Sequence, residues 1–218
     1  MRLPLISHRG RVAKEKGNLI SHMKEALKLP ISGLEVDIRI TKDGVPVAHH
    51  NKTIKGKRIS SLTYDELKGK TGKDENVPLL EDVVKLIKNK VELVIEIKSK
   101  PVEPIIKILK KYKIKKVVLI SFWAGILREI RRLDKKIETG LIYSRSPFPV
   151  WRARRNDAQY LVPYYRFVTK RIIDKAHKKN LKVVVWSVNK VKKAESLLKM
   201  GVDGIATDNV KGLLKIKC

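Results

Sequence analysis

Acidic side chains interrupt two segments that otherwise have the apolar alternation of buried β-strands. In residues 33–40, Glu35 and Asp37 share one face, and the even-numbered positions on the other face are all apolar. Glu96 and Lys98 share a face of a second such strand. Burying carboxylates is costly unless a cation compensates for their charge. Because three hard oxygen ligands suit Mg²⁺ or Ca²⁺ better than zinc, Glu35, Asp37 and Glu96 predict a divalent metal site.

The same alternation fits two arrangements without a metal. The carboxylates would be neutralised within the protein if Arg39 and Lys98 formed an internal salt-bridge network with them. Alternatively, both strands would lie at an exposed edge, where water solvates the charges.

Histidines end two of the predicted strands: His8 ends the first strand, and His49 and His50 end a hairpin strand. Active sites of barrel enzymes gather at the carboxyl ends of the strands, and imidazole suits proton exchange near neutral pH. Arg9 adds a forked donor for a phosphate or a carboxylate. Structural histidines and a surface ion pair of Arg9 are the alternatives.

The elements that must position these residues alternate between short β-branched runs and longer segments of helical period. Repeated βα units imply a parallel sheet. Apart from a hairpin strand at 45–50, the predicted strands are 3–7, 33–40, 92–97, 116–121, 137–143, 160–163, 182–188 and 202–206. Eight such units in about 200 residues predict an α/β fold of the (β/α)8 barrel type, with an open doubly wound sheet as the alternative.

Helical period predicts helices over 19–29, 80–90, 102–112, 124–133, 170–180 and 190–200. A small helical piece is predicted around 64–67, and a last helical turn after Asp208. The Asp43-Gly44 pair is a strong hairpin signal between the second strand and the strand at 45–50. Residues 144–156 are predicted to be a long loop.

Composition excludes several classes of protein. The 218 residues carry 50 Lys and Arg against 22 Asp and Glu, and 43% of them are hydrophobic, too many for a disordered polycation. No apolar run approaches the ~18 residues of a membrane span. The single cysteine, Cys218, excludes a disulfide scaffold and a cysteine zinc site. Only seven residues precede His8, too few for a signal peptide, so we expect a cytoplasmic protein.

Short motifs along nearly the whole chain follow the order found in one known family. The sequence resembles the glycerophosphodiester phosphodiesterase family. The motifs that carry the resemblance are His8-Arg9-Gly10, Glu35-Val36-Asp37, Thr41-Lys42-Asp43-Gly44-Val45-Pro46-Val47, Glu96-Ile97-Lys98, Ser121-Phe122, Trp186-Ser187-Val188-Asn189 and the run 201–208.

The resemblance implies a (β/α)8 TIM barrel, as one domain over residues 1–218 with an insertion after the second strand at roughly 45–78. It implies metal-dependent hydrolysis of glycerophosphodiesters to glycerol phosphate and an alcohol. Glu35, Asp37 and Glu96 match the ligands of one divalent ion, Mg²⁺ or Ca²⁺. His8 and His50 match the general acid–base pair, since the spacing from the hairpin turn selects His50 and not His49.

The resemblance also implies substrate contacts. Arg9 and Lys98 match phosphate-contacting positions, and Trp186 matches an aromatic wall beside the alcohol part of the substrate. Two positions depart from the family pattern: Gly17 stands where a glutamate is usual, and Asn51 stands where an aspartate is usual.

The basic segment 145–155 follows the fifth predicted strand, so it would border the active-site face of a barrel. Its arginines, with Trp151 and Phe148, predict peripheral contact with an anionic membrane, although a merely basic loop is the alternative. The expected partner is a small phosphodiester. Nucleic acid is not expected, because no aromatic-basic RNA motif is present.

Two further functions would use the same residues differently. The first is a lysophospholipase D-type enzyme, which would cleave lysophospholipids by the same chemistry. The second is a basic barrel that would bind nucleic acid or a phosphorylated ligand without catalysis.

Overall fold

Eight parallel strands form a closed barrel in the computed structural model, which describes residues 4–13, 15–71, 77–145 and 147–216. The barrel strands are β1 (Leu5–Ser7), β2 (Gly33–Ile40), β6 (Glu92–Ile97), β7 (Val117–Ser121), β8 (Glu138–Tyr143), β9 (Tyr160–Pro163), β10 (Lys182–Val185) and β11 (Gly204–Thr207). They pair in the order β1-β11-β10-β9-β8-β7-β6-β2, and the pairing of β2 with β1 closes the ring. The predicted (β/α)8 TIM barrel is confirmed.

Helices follow the barrel strands and cover the outside of the barrel, except for one short helix in the segment between β2 and β6. They are α1 (Ile20–Leu27), α2 (Tyr64–Lys70), α3 (Leu80–Ile87), α4 (Glu103–Lys111), α5 (Ala124–Leu133), α6 (Pro149–Arg155), α7 (Lys170–His177), α8 (Val191–Lys199) and α9 (Val210–Leu213). Among the described residues, no helix is long and apolar enough to cross a membrane. The cytoplasmic location stays a prediction.

Strand alternation divides the core into two layers. Leu34 and Val36 on β2 belong to the layer between strands and helices. Val94, Val118 and Ile142 belong to the separate cluster inside the barrel. Because successive side chains point to opposite faces of a strand, the odd-numbered positions of β2 face the barrel interior. The barrel therefore places acidic side chains of β2 at its centre.

The segment between β2 and α3 begins with the predicted hairpin. Strand β3 (Pro46–Ala48) pairs antiparallel with the end of β2, and Gly44 in the turn adopts a φ of 80°, which favours glycine. A two-stranded hairpin of β4 (Thr53–Ile54) and β5 (Lys57–Arg58) follows. A separate apolar cluster stabilises this segment, formed by Val47, Ile59, Leu62, Leu67 and Val77.

The prediction of a continuous loop over 144–156 is wrong, because α6 occupies its second half. The helix begins at Pro149, which suits the first helical position because proline has no N–H to pair there. Only Pro149 and Ala153 of α6 are buried, and two positions four apart are too few to show a helical period in the sequence. The rest of its surface carries Val150, Trp151 and three arginines. The predicted strand at 182–188 is shorter than expected and ends at Val185.

Gly140 tests the packing inside the barrel. A Cβ at this position would lie 2.9 Å from Ile120 Cγ2 and 3.0 Å from Tyr160 Cβ. Gly140→Ala should therefore lower the free energy of unfolding by about 1–3 kcal/mol, measured by urea denaturation. Gly125, inside α5, is the control, because a Cβ there would meet only the Arg128 guanidinium at 4.0 Å. Gly125→Ala should raise the free energy of unfolding by about 0.5–1 kcal/mol. Equal effects of the two changes would contradict the packing described.

Candidate active site

Three buried carboxylates from two neighbouring strands converge near the carboxyl end of the barrel. Glu35 and Asp37 lie on β2 and Glu96 on β6, and the parallel register sets Asp37 beside Glu96. One carboxylate oxygen of each residue lies within 4.8 Å of the others, and all three residues are buried. The structure thus brings the three predicted metal ligands together.

Two cationic side chains contact these carboxylates without balancing their charge. Arg9 Nε lies 3.0 Å from Asp37 Oδ2. The Lys98 ammonium lies 2.6 Å from Glu96 Oε1 and 3.2 Å from Asp37 Oδ1. Two positive charges therefore face three carboxylates, including that of Glu35, and one negative charge remains uncompensated when all three are ionised.

Of the two metal-free arrangements, the salt-bridge network exists in part, because Lys98 pairs with Glu96 and Asp37, and the exposed edge does not exist. Arg39 does not contact the carboxylates through a salt bridge; its guanidinium donates to the backbone oxygen of His50 at 2.8 and 3.1 Å. Strands β2 and β6 are not edge strands, because each is paired on both sides within the closed barrel. The carboxylates are therefore buried, and the positive charges of Arg9 and Lys98 are fewer than the three negative charges of the ionised carboxylates.

Unbonded oxygen atoms in the cluster fit a bound cation. Glu35 Oε1 is buried and accepts no hydrogen bond from the described residues. Asp37 Oδ1 is also buried without a hydrogen bond from those residues, and the Lys98 ammonium lies 3.2 Å from it. Burial raises the pKa of Glu35 well above its usual range, and the Asp37 and Glu96 carboxylates raise it further. Burial also raises the pKa of Glu96 to about 7, although Lys98 opposes the rise. A hard divalent cation would supply the missing charge, so these residues could hold a metal ion.

His8 and His50 flank the carboxylates, and each ring is oriented by an aspartate. His8 Nδ1 lies 2.7 Å from Asp208 Oδ1, and its Nε2 lies 3.8 Å from Glu35 Oε2. His50 Nδ1 lies 3.1 Å from Asp37 Oδ2. Because an ionised carboxylate only accepts hydrogen bonds, we assign the proton of each neutral ring to Nδ1. Nε2 of each ring then carries no proton, and His50 Nε2 accepts a hydrogen bond from Arg9 Nη2 at 3.3 Å. Burial lowers the pKa of His8, although its bond to Asp208 opposes the change.

His49 takes no part in this arrangement. Its Nδ1 lies 3.0 Å from the backbone oxygen of Asn51. Its side chain lines a neighbouring groove with His50, but it does not line the cavity that contains Glu35, Glu96 and Trp186. The structure therefore places His50 at the carboxylates, as its spacing from the hairpin turn predicts. Since Asp37 orients His50, an aspartate at position 51 is not required for that purpose.

Asp208, the last residue of the motif run 201–208, accepts a hydrogen bond from His8, a role that the sequence did not assign to it. Arg11 Nη1 donates to Asp208 Oδ1 at 2.8 Å, and Asn189 Nδ2 donates to Oδ2 at 3.0 Å. Although burial opposes it, hydrogen bonds from His8, Asn189 and Arg11 hold the pKa of Asp208 well below its usual range. A signal was present in the sequence: Asp208 directly follows the last strand, at the same end of the barrel as His8.

Arg9 and Asn18 reach the cluster from left-handed backbone conformations, with φ of 57° and 63°. The Arg9 backbone N–H donates to Glu35 Oε2 at 2.9 Å. Asn18 Nδ2 donates to Asp37 Oδ2 at 2.9 Å, and Asn18 Oδ1 accepts from the Asp37 N–H at 3.1 Å. Such a conformation costs a non-glycine residue about 1–3 kcal/mol, which these contacts must offset.

Gly17, where the family usually has a glutamate, leaves no room for a side chain. A Cβ there would lie 2.6 Å from Arg9 Cβ and 3.0 Å from Arg11 Nε. Glu15 does not replace the missing glutamate, because it accepts a hydrogen bond from the Val12 N–H at 2.8 Å. The cluster therefore keeps three carboxylates in this chain.

Trp186 and Phe122 line the cavity that Arg9, Lys98 and the histidines also border. The Trp186 indole donates to the backbone oxygen of Val162 at 3.1 Å, which fixes the ring. Its ring meets Phe122 edge to face, with centroids 5.8 Å apart. The predicted substrate-contacting residues thus share one cavity with the carboxylates.

Known proteins with the same architecture identify the family. The model of the glycerophosphoryl diester phosphodiesterase family matches residues 8–211. A glycerophosphodiester phosphodiesterase from Caldanaerobacter subterraneus is 31% identical over 238 aligned positions, covering 99% of this chain and 98% of that protein.

Solved structures agree with this match. The crystal structure of a glycerophosphodiester phosphodiesterase from Parabacteroides distasonis has a TM-score of 0.88 and 26% identity, covering 98% of this chain and 96% of that one. An Oleispira antarctica phosphodiesterase, solved in complex with its product sn-glycerol-3-phosphate, has a TM-score of 0.89 and 20% identity, covering 97% and 95%. The chain belongs to the glycerophosphoryl diester phosphodiesterase family.

Proposed function

We propose that this chain hydrolyses glycerophosphodiesters to glycerol phosphate and an alcohol with the help of one divalent cation. The observation that carries the proposal is the buried cluster of Glu35, Asp37 and Glu96, which is short of one positive charge. His8 beside Glu35 and His50 beside Asp37 add the proton-exchanging groups. The glycerol phosphate bound to the Oleispira antarctica protein, which has the same fold, supports this substrate class.

Glu35, Asp37 and Glu96 would hold the cation, and their all-oxygen donor set favours Mg²⁺ or Ca²⁺. A bound divalent cation supplies positive charge that polarises the phosphoryl group toward attack. The protein's part is to fix the three carboxylates before substrate arrives. Two neighbouring strands do this, because their hydrogen-bonded register sets the spacing of the side chains.

Arg9 and Lys98 are the protein's own cations for the phosphoryl oxygens. Both border the cavity, and a guanidinium offers several N–H donors to an anion that gains charge in the transition state. Trp186 would lie against the alcohol part of the substrate, on the apolar wall of the same cavity.

The two histidines divide the proton transfers at their Nε2 atoms. One imidazole is neutral and accepts the proton of the attacking oxygen at Nε2; the other starts as an imidazolium, protonated on both nitrogens, and donates its Nε2 proton to the departing alkoxide. Asp208 accepts a hydrogen bond from His8 Nδ1, and Asp37 accepts one from His50 Nδ1, so neither carboxylate is hydrogen-bonded to an Nε2 atom. Proton transfer of this kind contributes typically about 10²–10⁴-fold to a rate.

Removing divalent cations tests the cofactor. EDTA should abolish release of glycerol phosphate from glycerophosphocholine, and Mg²⁺ or Ca²⁺ should restore it. Asp37→Asn keeps the shape of the side chain but removes a charge, so it should weaken cation binding in calorimetric titration. Full activity in EDTA would contradict the proposal, and so would unchanged cation affinity of this variant.

Substitution of the histidines tests the acid–base pair. His8→Ala and His50→Ala should each lower kcat by about 10²–10⁴-fold. His49→Ala is the matched control: it removes a neighbouring imidazole outside the cavity and should leave kcat within about threefold of the wild type. Turnover at the wild-type rate in both His8→Ala and His50→Ala would remove the pair from the mechanism.

Asp208 should act as a positioning residue for His8. Asp208→Asn keeps the side-chain volume but replaces the acceptor of the His8 Nδ1–H, so kcat should fall by roughly 10–100-fold. KM should change little, because Asp208 is not among the residues that border the substrate cavity. A variant that raised KM and left kcat intact would contradict this role.

A further inference from the structure

The exposed large apolar side chains of the described chain are clustered at one part of the active-site end. They are Trp123, Phe148, Trp151 and Phe167, with exposed fractions of 55, 76, 57 and 39%. They lie in the connections that follow three consecutive strands, β7, β8 and β9, or in the first turn of the next helix. We call these four side chains the aromatic rim. Apolar groups gathered in this way on a surface indicate an interaction site.

The segments that carry the aromatic rim have only one sign of charge. Residues 122–128, 144–156 and 164–173 contain seven arginines and one lysine but no aspartate or glutamate. The whole chain has 14 arginines and 36 lysines, so half of its arginines fall in these three segments. One guanidinium group can donate two parallel hydrogen bonds to two oxygens of a phosphate, which a lysine ammonium does not do. The charge of this surface therefore complements a phosphate-rich anionic partner.

Exposed arginines lie close to the rim. Arg171 lines the same surface groove as Phe148 and Trp151. Arg166 directly precedes Phe167 in the chain, and Arg145 stands three positions before Phe148. Arginine and aromatic groups thus share one surface, as in protein segments that lie at the boundary between lipid headgroups and acyl chains.

A run of aromatic contacts connects this surface with the active-site cavity. Phe167 lies 6.0 Å from Tyr164, ring centroid to centroid, and Tyr164 lies 5.3 Å from Trp186. Trp186 in turn contacts Phe122, and both rings line the cavity that holds the carboxylates. An apolar path therefore runs from an exposed ring of the rim to the phosphoryl site.

We propose that the aromatic rim and its arginines dock this protein on the surface of an anionic lipid bilayer. The rings enter the headgroup region, and Arg145, Arg166 and Arg171 contact lipid phosphates. The aromatic path to the cavity favours a bilayer over a nucleic acid, because nucleic acid presents no acyl region for it to meet. The docking rests on the rim, its arginines and the aromatic path, and it does not require the proposed hydrolysis.

Vesicle flotation tests the docking with the whole chain. Wild-type protein should bind vesicles of phosphatidylcholine with phosphatidylglycerol and should bind pure phosphatidylcholine vesicles far more weakly. The variant Arg145→Gln/Arg166→Gln/Arg171→Gln should lose affinity for the anionic vesicles by on the order of 100-fold. The rim variant Phe148→Ala/Trp151→Ala should also bind more weakly at unchanged net charge.

A charge-matched control separates the rim from the general basic character of the chain. Lys90, Lys115 and Lys116 are exposed at the opposite end of the barrel, just before β6 and β7. Replacing all three by Gln removes the same charge but should change vesicle affinity by less than about threefold, since screening limits charge effects to roughly 10 Å. Equal losses in this variant and the arginine variant would overturn the proposal, and so would an unaffected Phe148→Ala/Trp151→Ala variant.

Depth of insertion gives a second readout. In a Trp186→Phe variant the remaining tryptophans are Trp123 and Trp151, both in the rim. Brominated acyl chains in the anionic vesicles should quench their fluorescence. Binding without quenching would show that the rings stay outside the bilayer and would overturn their assigned role. Turnover of soluble glycerophosphocholine by the arginine variant reports on the proposed hydrolysis separately from docking.

Discussion

The structure of the active site depends on one electrostatic constraint, the burial of three carboxylates with only two protein cations beside them. An uncompensated buried charge costs several kcal/mol, so a cluster of this kind is unstable unless protons or a cation supply the balance. In the protein alone, burial raises the pKa values of Glu35 and Glu96, and the neighbouring carboxylates raise them further. A divalent cation restores the balance without protonating the ligands. The cluster is therefore better suited to holding an ion than to stabilising the barrel.

The barrel enforces this constraint through its backbone. Glu35 and Asp37 cannot turn toward solvent without exposing the apolar face of β2, because alternate residues of that strand pack under the helices. Asn18 fixes Asp37 by two hydrogen bonds, and Arg9 offers both its backbone N–H and its side chain to the carboxylates. The positive φ of Arg9 and Asn18 indicates that the local chain accepts strain to make these contacts.

Much of the fold and of the site could be predicted from the sequence, for reasons visible in particular residues. The alternation in β2 predicts that Glu35 and Asp37 face the barrel interior, since a shift by one residue would bury the whole charged face under the helices. The resemblance to the family, read from the Asp43-Gly44 turn, selects His50 and not His49. The order of the strands around the barrel follows their order in the chain, because successive parallel strands joined by helices usually lie side by side.

The rest depended on contacts between residues distant in the chain. Nothing in the local sequence shows that Asp208 bonds to His8, which is 200 positions away. Helix α6 was not predicted because only two of its seven residues are buried, too few to give a recognisable apolar pattern among the arginines. The sequence predicts Phe148 and Trp151 of the aromatic rim but not Trp123 and Phe167, which join them because β7, β8 and β9 are neighbours in the barrel. In each case tertiary placement, not local pattern, decides what a residue does.

The most direct test of the central claim is a crystal structure of the protein grown with Mn²⁺, collected for anomalous scattering. Mn²⁺ accepts the same oxygen ligands as Mg²⁺ and marks its own position. The account predicts one strong anomalous peak bounded by oxygens of Glu35, Asp37 and Glu96. Absence of that peak, with Arg9 and Lys98 still seated against the carboxylates, would contradict it.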